Sequence, residues 1–318
     1  MTAEPTAAPR PATGPGGATS VSARKNRVRK LSGTDLVVVT LMTAIPTLFV
    51  LVLVWFPAIA SVLLSFTNWN GIGSLSRIQG VGFANYVNVA TNYPPFWPAL
   101  GHNLSFLAVL FLIATPAGMF LAVLLDKEMR FSRFYQTAIY LPVVLSLALV
   151  GFVWQLIYSR DQGLINGLLH TQVDWYGDPN YNLWAVLVAT SWRHIGYIML
   201  IYLAGLKAVD NTLREAAAID GATEAQTFFR VVFPVMRPIN VIVLVITVIE
   251  ALRAFDIVWV INKGRNGLEL IATLVTANVV GEASRIGFGS AMATIMLLIS
   301  SVFVAIHVTI TMREERQK

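Results

Sequence analysis

Six stretches of about 20 mostly apolar residues run through this chain, the length a helix needs to cross the hydrocarbon core of a bilayer. They lie near residues 36–56, 103–125, 137–158, 183–206, 241–261 and 288–312. The composition agrees: 56% of the 318 residues are hydrophobic and 13% are charged. A soluble domain averages about 45–50% apolar and about 25% charged. There is too little polar surface here to cover a soluble globule of this size. Collagen-like, disordered and disulfide-scaffold chains are excluded as well, the last because the chain has no cysteine. That absence also removes thiolate catalysis, zinc ribbons and cysteine-ligated iron–sulfur clusters. The expectation is an all-α, polytopic membrane protein with six transmembrane helices.

The first, third and sixth stretches read most clearly. The fifth carries Glu250, Arg253 and Asp256, so it cannot face lipid all round. Residues 271–280 are apolar but too short to span, and read as an interfacial or re-entrant piece. Residues 1–23 are rich in Ala, Pro, Thr and Gly, a composition that reads as a disordered tail. Five basic residues between Arg24 and Lys30 complete a juxtamembrane tail over 1–30, leaving a membrane domain over 31–318. A cleaved signal peptide would have a shorter apolar core, about 7–15 residues. Here the apolar run continues through 62–64, which favours an uncleaved helix.

The basic residues set the orientation. Sixteen of the 23 Lys and Arg fall before the first span, after the sixth, or in the loops around 127–133 and 207–237. Five fall in the other loops, at Arg77, Arg160, Lys263, Arg265 and Arg285, and Arg193 and Arg253 lie within spans. This positive-inside pattern predicts cytoplasmic N- and C-termini. The formal charge of +6 is therefore orientation information and no sign of nucleic acid. The external loops 67–102 and 161–181 are instead aromatic, with Trp69, Tyr86, Trp97, Trp175 and Tyr176. They suit interfacial anchors, or contact with an external partner or an entering solute.

The loop 207–238, between the fourth and fifth spans, is the most informative segment. Asp210, Asn211 and Thr212 are good helix N-caps. Residues 213–219 are Ala-rich and predict a helix. Gly221 can take the left-handed backbone that ends it. A second short helix is expected from Thr223 to Pro234. Such an elbow suits a rigid helix seated in another protein's groove. It equally suits an amphipathic linker on the membrane surface, with Phe228, Phe229 and Phe233 dipped in.

Glu215-Ala216-Ala217, then Gly221, then Val231-Val232-Phe233-Pro234, resembles the EAA loop of ATP-binding-cassette importer permeases. The family pattern usually ends Ile-x-Leu-Pro, so Val231 and Phe233 depart from it while staying apolar. The stretch 215–238 with Asp220-Gly221-Ala222 is similar to the carbohydrate-importer branch, of the maltose-permease and glycerol-phosphate-permease type. The resemblance covers nearly the whole chain after the tail. It includes Ser65-Phe66-Thr67-Asn68-Trp69, Gly82-Phe83-Ala84-Asn85-Tyr86, Asn103, Tyr140-Leu141-Pro142, Trp154, Gly163, Asn166, Trp192, Leu203-Ala204-Gly205-Leu206 and Phe255-Asp256. After the fifth span, Lys263-Gly264-Arg265-Asn266-Gly267 stands where the family often has Gly-Gly-Pro.

The resemblance implies a type I ABC importer permease fold and a chain that does no chemistry, placed in a bacterial or archaeal inner membrane. It implies a second related permease subunit, two cytoplasmic ATPase subunits that bind ATP and Mg, and an extracytoplasmic binding protein that delivers a sugar. No cofactor is expected in this chain, which has no Gly-x-x-x-x-Gly-Lys-Ser/Thr loop to cradle phosphates. The resemblance assigns Glu215, Ala216, Ala217, Asp220 and Gly221 to the helix that couples to the ATPase.

The solute path must be polar somewhere, and ionisable residues inside spans usually face an interior cavity. Four lie well inside: Arg193, Glu250, Arg253 and Asp256. The last three are spaced i, i+3, i+6 and fit one helix face. They form either a stripe lining the solute cavity or a salt-bridge cluster bracing helices. Trp192, Tyr197 and Trp259 are near in sequence and offer the aromatic faces that sugars use. His194 reads as a packed histidine, and His307 has no assigned role. The competing function is a self-contained secondary transporter driven by an ion gradient, with Glu250 and Asp256 as proton sites. It requires an internal inverted repeat, which is not evident. An intramembrane enzyme has no HExxH or Gly-x-Ser-x-Gly to support it.

Overall fold

The computed structural model describes residues 32–72, 74, 76, 78–127, 130–281 and 284–315, with the backbone alone for 307, 308 and 310–315. The tail assigned to 1–30 lies outside the described residues, and so does the side chain of His307. The chain divides into two units, 1–54 and 55–318. In the first unit, α1 (Gly33–Val50) opens with a capping box. Ser32 Oγ accepts from the Asp35 amide, and the Asp35 carboxylate accepts from the Ser32 amide. No residue of α1 is buried, which suits a helix whose surroundings are lipid. The candidate span continues through a π-helical turn, Leu51–Trp55, and covers Gly33–Leu64 in all.

The second unit follows in order: α2 (Phe56–Leu64), α3 (Ala84–Thr91), α4 (Phe96–Val109), α5 (Thr115–Asp126), α6 (Ser132–Val144), α7 (Leu147–Ile157), α8 (Leu164–Leu169) and α9 (Asn182–Ala208). Then come α10 (Asn211–Ile219), α11 (Glu224–Thr227), α12 (Phe233–Val235), α13 (Arg237–Leu252), α14 (Asp256–Asn262), α15 (Ile271–Val279) and α16 (Ile286–Glu315). The secondary structure of the described residues is helical, apart from one isolated bridge between Thr67 and Gly80.

The 27-residue α9 is the axis of this unit, and half of its apolar window is buried. It packs along α5 on one side and α6 on another. Small residues allow that approach. A Cβ built on Gly196 would stand 2.4 Å from the Ile139 carbonyl oxygen of α6. Close backbone packing of this kind is how membrane helices associate without a hydrophobic drive between them. One core, with Phe106, Val150, Val186, Leu187 and Val258, lies around the first half of α9. A second, with Ala122, Ile198, Met199, Leu203, Val232 and Val243, lies around its other half. A third joins α3, α4, α15 and α16 through Val89, Ala99, Ile271 and Met292.

Four of the expected spans are single helical stretches long and apolar enough to cross: Gly33–Leu64, Phe96–Asp126, Asn182–Ala208 and Ile286–Ile306. The third expected span is a pair, Ser132–Val144 and Leu147–Ile157, bent by 101°. Leu145 and Ser146 are extended there, and Ser146 Oγ caps α7 by accepting from the Leu149 amide at 3.2 Å. Uniform apolarity hid that break. The fifth expected span, 241–261, is also not one helix. The 16-residue α13 ends at Leu252, and α14 begins at Asp256. Arg253 is the residue that ends α13, and Asp256 is the first of α14. A cation at a helix C-terminus and a carboxylate at an N-terminus are each favoured by the helix dipole. The expectation that Glu250, Arg253 and Asp256 share one continuous helix face is therefore corrected: their spacing marks a helix end and a helix start.

Asn103 of α4 secures this break. Its side-chain amide donates to the Ala251 and Leu252 carbonyls, both at 3.2 Å, and its Oδ1 accepts from the Ile271 amide at 3.0 Å. One fully buried side chain thus satisfies the orphan carbonyls ending α13 and the first amide of α15. The short apolar piece 271–280 is α15, held in the third core by Ile271 and Leu274.

Candidate functional site

A cavity of about 330 Å³ opens at the break between α13 and α14. Arg193 and Tyr197 of α9, Glu250 of α13, and Arg253, Phe255 and Asp256 of the break line it, with Phe106 and Leu147 completing the wall. Five of the six residues expected on a solute path converge there although the helix face assumed for three of them does not exist. The sixth, Trp192, is turned away. Its ring stands edge-on to Trp154, centroids 5.8 Å apart, outside the cavity lining. Trp259 is also outside the lining, and stacks on the cavity residue Phe255 at 5.2 Å.

The charges of the cavity divide into two kinds. Arg193 Nη1 lies 3.3 Å from Glu250 Oε1, and both side chains are largely buried. His194 is fully buried behind them, with Nδ1 3.5 Å from Glu250 Oε2. Its other nitrogen, Nε2, lies 3.3 Å from the hydroxyls of both Thr115 and Thr247. A polar network therefore joins α5, α9 and α13 across the core, and the packed reading of His194 fits its position. Arg253 and Asp256 differ: both are exposed and, among the described residues, neither has an ion-pair partner.

At the far end of α9, the loop 207–238 forms the expected elbow. Asp210 caps α10, its carboxylate accepting from the Thr212 amide at 2.9 Å, which holds that carboxyl below its ordinary range. Gly221 has φ +76° and closes α10 in a Schellman motif. The Ala222 amide donates to Ala217 at 3.0 Å and the Gly221 amide to Ala218 at 3.1 Å. A capping box of Thr223 and Gln226 starts α11. The helical path does not stop at Pro234 as expected. A π-helical turn, Phe228–Val232, precedes the proline and carries the chain to Val235. Glu215, Ala216, Asp220 and Gly221 are exposed, with Ile219 beside them 86% exposed, whereas Ala217 is buried. Residues without an expected role fasten this elbow. Arg214 Nη1 lies 2.8 Å from Asp126 of α5, and Lys127 pairs with Glu224, holding that carboxyl below its usual range. Opposite charges 88 and 97 residues apart give no local pattern to find them by.

The aromatic loop 161–181 packs inward. Trp175 and Tyr176 stand 5.6 and 5.5 Å from Tyr158, and Tyr176 donates its hydroxyl to the Trp154 carbonyl. Burial pushes the Tyr176 phenol up, and the neighbouring Tyr158 adds to it.

The chain is 31% identical over 272 residues to a probable ABC transporter permease of Pyrococcus horikoshii, covering 82% of this chain and 91% of that protein. It is 31% identical over 276 residues to AmyD of Thermoanaerobacterium thermosulfurigenes, a probable permease of a transport system for starch degradation products, covering 85% and 92%. Its fold matches a chain of a bacterial ABC transporter that imports the acidic polysaccharide alginate, with TM-score 0.76, 20% identity, and 88% and 96% of the two chains covered. Residues 114–316 match the family model of the binding-protein-dependent transport system inner membrane component. This chain belongs to that family: it is a multi-pass inner-membrane permease subunit of an ABC importer, with the type I importer permease fold and no enzymatic role.

Proposed function

We propose that the cavity at the α13–α14 break is this chain's share of a carbohydrate path, and that the elbow 207–238 is its seat on a cytoplasmic ATPase. The observation that carries the first half is the presence of Arg253 and Asp256 on the cavity wall without ion-pair partners among the described residues. A cluster that only braced helices would pair its charges, as Arg193 and Glu250 do. Charged groups left open inside a membrane protein belong to a path that polar solutes use. Phe255 and Tyr197 add aromatic surface for a sugar ring. The kinship with a permease named for starch degradation products supports a saccharide cargo.

The coupling half rests on exposure. Glu215, Ala216, Asp220 and Gly221 present a short rigid ridge to a partner, and buried Ala217 anchors it from below. In this reading a second permease subunit completes the path, an extracytoplasmic binding protein delivers the sugar, and two ATPase subunits hold ATP and Mg. The basic loops support a cytoplasmic side for both termini and the elbow. The test is Arg253→Ala in the complex reconstituted in liposomes. Sugar uptake per assembled complex falls at least about tenfold if the guanidinium contacts solute with the energy of a charged hydrogen bond. Uptake that falls only as far as assembly does would assign Arg253 to bracing instead.

A further inference from the structure

We propose that the Asp126–Arg214 ion pair is the joint through which movement of the elbow reaches α5, with both residues acting as positioning residues. This rests on the coupling role proposed for the elbow. Asp126 is the last residue of α5, where a helix dipole favours a cation and disfavours a carboxylate. Local chemistry therefore argues against an aspartate there. The compensation comes from other elements. Arg214 Nη1 lies 2.8 Å from Asp126 Oδ2, and Lys207 Nζ lies 3.9 Å from Oδ1. The second terminal nitrogen of Arg214 donates to the Leu206 carbonyl in the last turn of α9, at 3.1 Å. One guanidinium thus ties α10 to the ends of both α5 and α9. A local rule broken and repaired only in three dimensions is characteristic of functional positions.

Packing holds the second half of the elbow, where Val232 and Phe228 join the second core, but it leaves α10 weakly held. Helix α10 buries only Ala217. A groove of about 640 Å³ lies between α5 and the elbow, walled by Phe120, Val123, Ala218 and Phe228, so these walls do not close on each other. The polar links on its rim carry the connection. Beside the looser Lys207–Asp126 contact, two such links exist among the described residues, and they differ in kind. The Asp126 side chain is 12% exposed, so its attraction to Arg214 is little screened. Lys127 and Glu224 are 55% and 85% exposed, and an ion pair in water contributes little. The exposed pair is therefore a built-in control bridging the same two walls.

The experiment uses the complete complex with its ATPase and binding protein in liposomes, and reads ATP hydrolysed per sugar imported beside the amount of assembled complex. Asp126→Asn and Arg214→Met raise that ratio about fivefold or more, the lower end of typical coupling between linked sites. Lys127→Met leaves it within about twofold. The swap Asp126→Arg with Arg214→Asp, made with Lys207→Gln to remove the cation that the new arginine would face, restores it. A fall in assembly with the ratio unchanged would assign the pair to stability alone and overturn the proposal. The chain has no cysteine, so Asp126→Cys with Arg214→Cys gives a second route. Joining the two thiols with a short bifunctional reagent brings the ratio back, and a ratio unmoved or worsened by joining refutes the joint. Gly221→Val separates the two ideas. If it stays coupled, the elbow reading itself fails; if it uncouples while Asp126→Asn stays coupled, only the joint fails.

Discussion

Replacing Gly221 separates backbone from bulk, because the two predict opposite rankings of the same variants. Its φ of +76° is left-handed, and a Cβ built there meets nothing within 4 Å. No steric clash is available to explain a loss. The cost is conformational: an L-residue with a Cβ pays about 1–2 kcal/mol in this region. Asn pays less, because its short polar side chain bonds locally, and a β-branched residue pays more. The penalty falls on the two hydrogen bonds that end α10, from Ala222 to Ala217 and from Gly221 to Ala218. A nine-residue helix is marginal by itself, so it has little reserve. A cost of about 1–2 kcal/mol lowers the closed population about 5- to 30-fold relative to the open one. The rest of the fold is untouched, since local opening is independent of global unfolding.

The measurement is ATPase activity stimulated by the binding protein in the reconstituted complex, with thermal unfolding in detergent as the stability control. The expected order is Gly, then Asn, then Ala, then Val, with unfolding temperatures unchanged. Side-chain bulk at the partner's surface would instead rank Ala above Asn. An Ala variant equal to or better than Asn would refute the backbone argument, and so would a Val variant with full activity.

Three further outcomes follow from the geometry. Asn103→Leu leaves the buried Ile271 amide and two α13 carbonyls without their partner, and costs at least about 3 kcal/mol at about 1–3 kcal/mol per orphaned group; thermal unfolding in detergent reads it, and an unchanged midpoint would remove the brace. Gly196→Ala forces its methyl to within 2.4 Å of the Ile139 carbonyl and loses about 1–3 kcal/mol, whereas Gly167→Ala in α8, where a Cβ meets nothing, is neutral or stabilising; the same melting assay must separate the two. The lowered carboxyl of Asp210 stabilises the start of α10 above its ordinary value of 3.8, and that contribution is lost as pH falls through the lowered value. The protection factors of the α10 amides, corrected for intrinsic exchange, therefore fall with acid in the native chain but not in Asp210→Asn, which caps without titrating.

The long elements were legible because a bilayer demands long apolar runs and α9 and α16 supply them without interruption. The elbow was legible because capping is local: Asp210, Gly221 and Thr223 each announce a helix end within three residues. The break at 145–146 was not, because the residues on both sides of it are apolar and only Ser146 signals the restart. The fifth segment was misread for a different reason. Charges spaced by three read as a face, although Arg253 followed by Asp256 has the signs of a helix stop and a helix start. The bonds that hold the site, from Asn103, His194 and Arg214, cross from 53 to 168 residues of chain, and no window along the sequence contains them.

The charges expected on a solute path still gather around one cavity, and the reason is physical. A charge inside a membrane is tolerated where water or protein replaces lipid. An interrupted helix exposes backbone carbonyls and amides that need the same replacement. Both demands are met most simply at one place, so a break and its charges collect around a common polar space. Arg253 and Asp256 end the helices by their sign and line the cavity by their position, while Asn103 closes the backbone behind them. It follows that Arg253→Ala and Asn103→Leu act on one site through different terms. The first removes a group facing the cavity and leaves the break capped. The second uncaps the break and moves Arg253 with it. Uptake therefore falls in both, but only the Asn103 variant also loses thermal stability. A matching loss of stability in Arg253→Ala would mean that the charge, and not Asn103, holds the break in place.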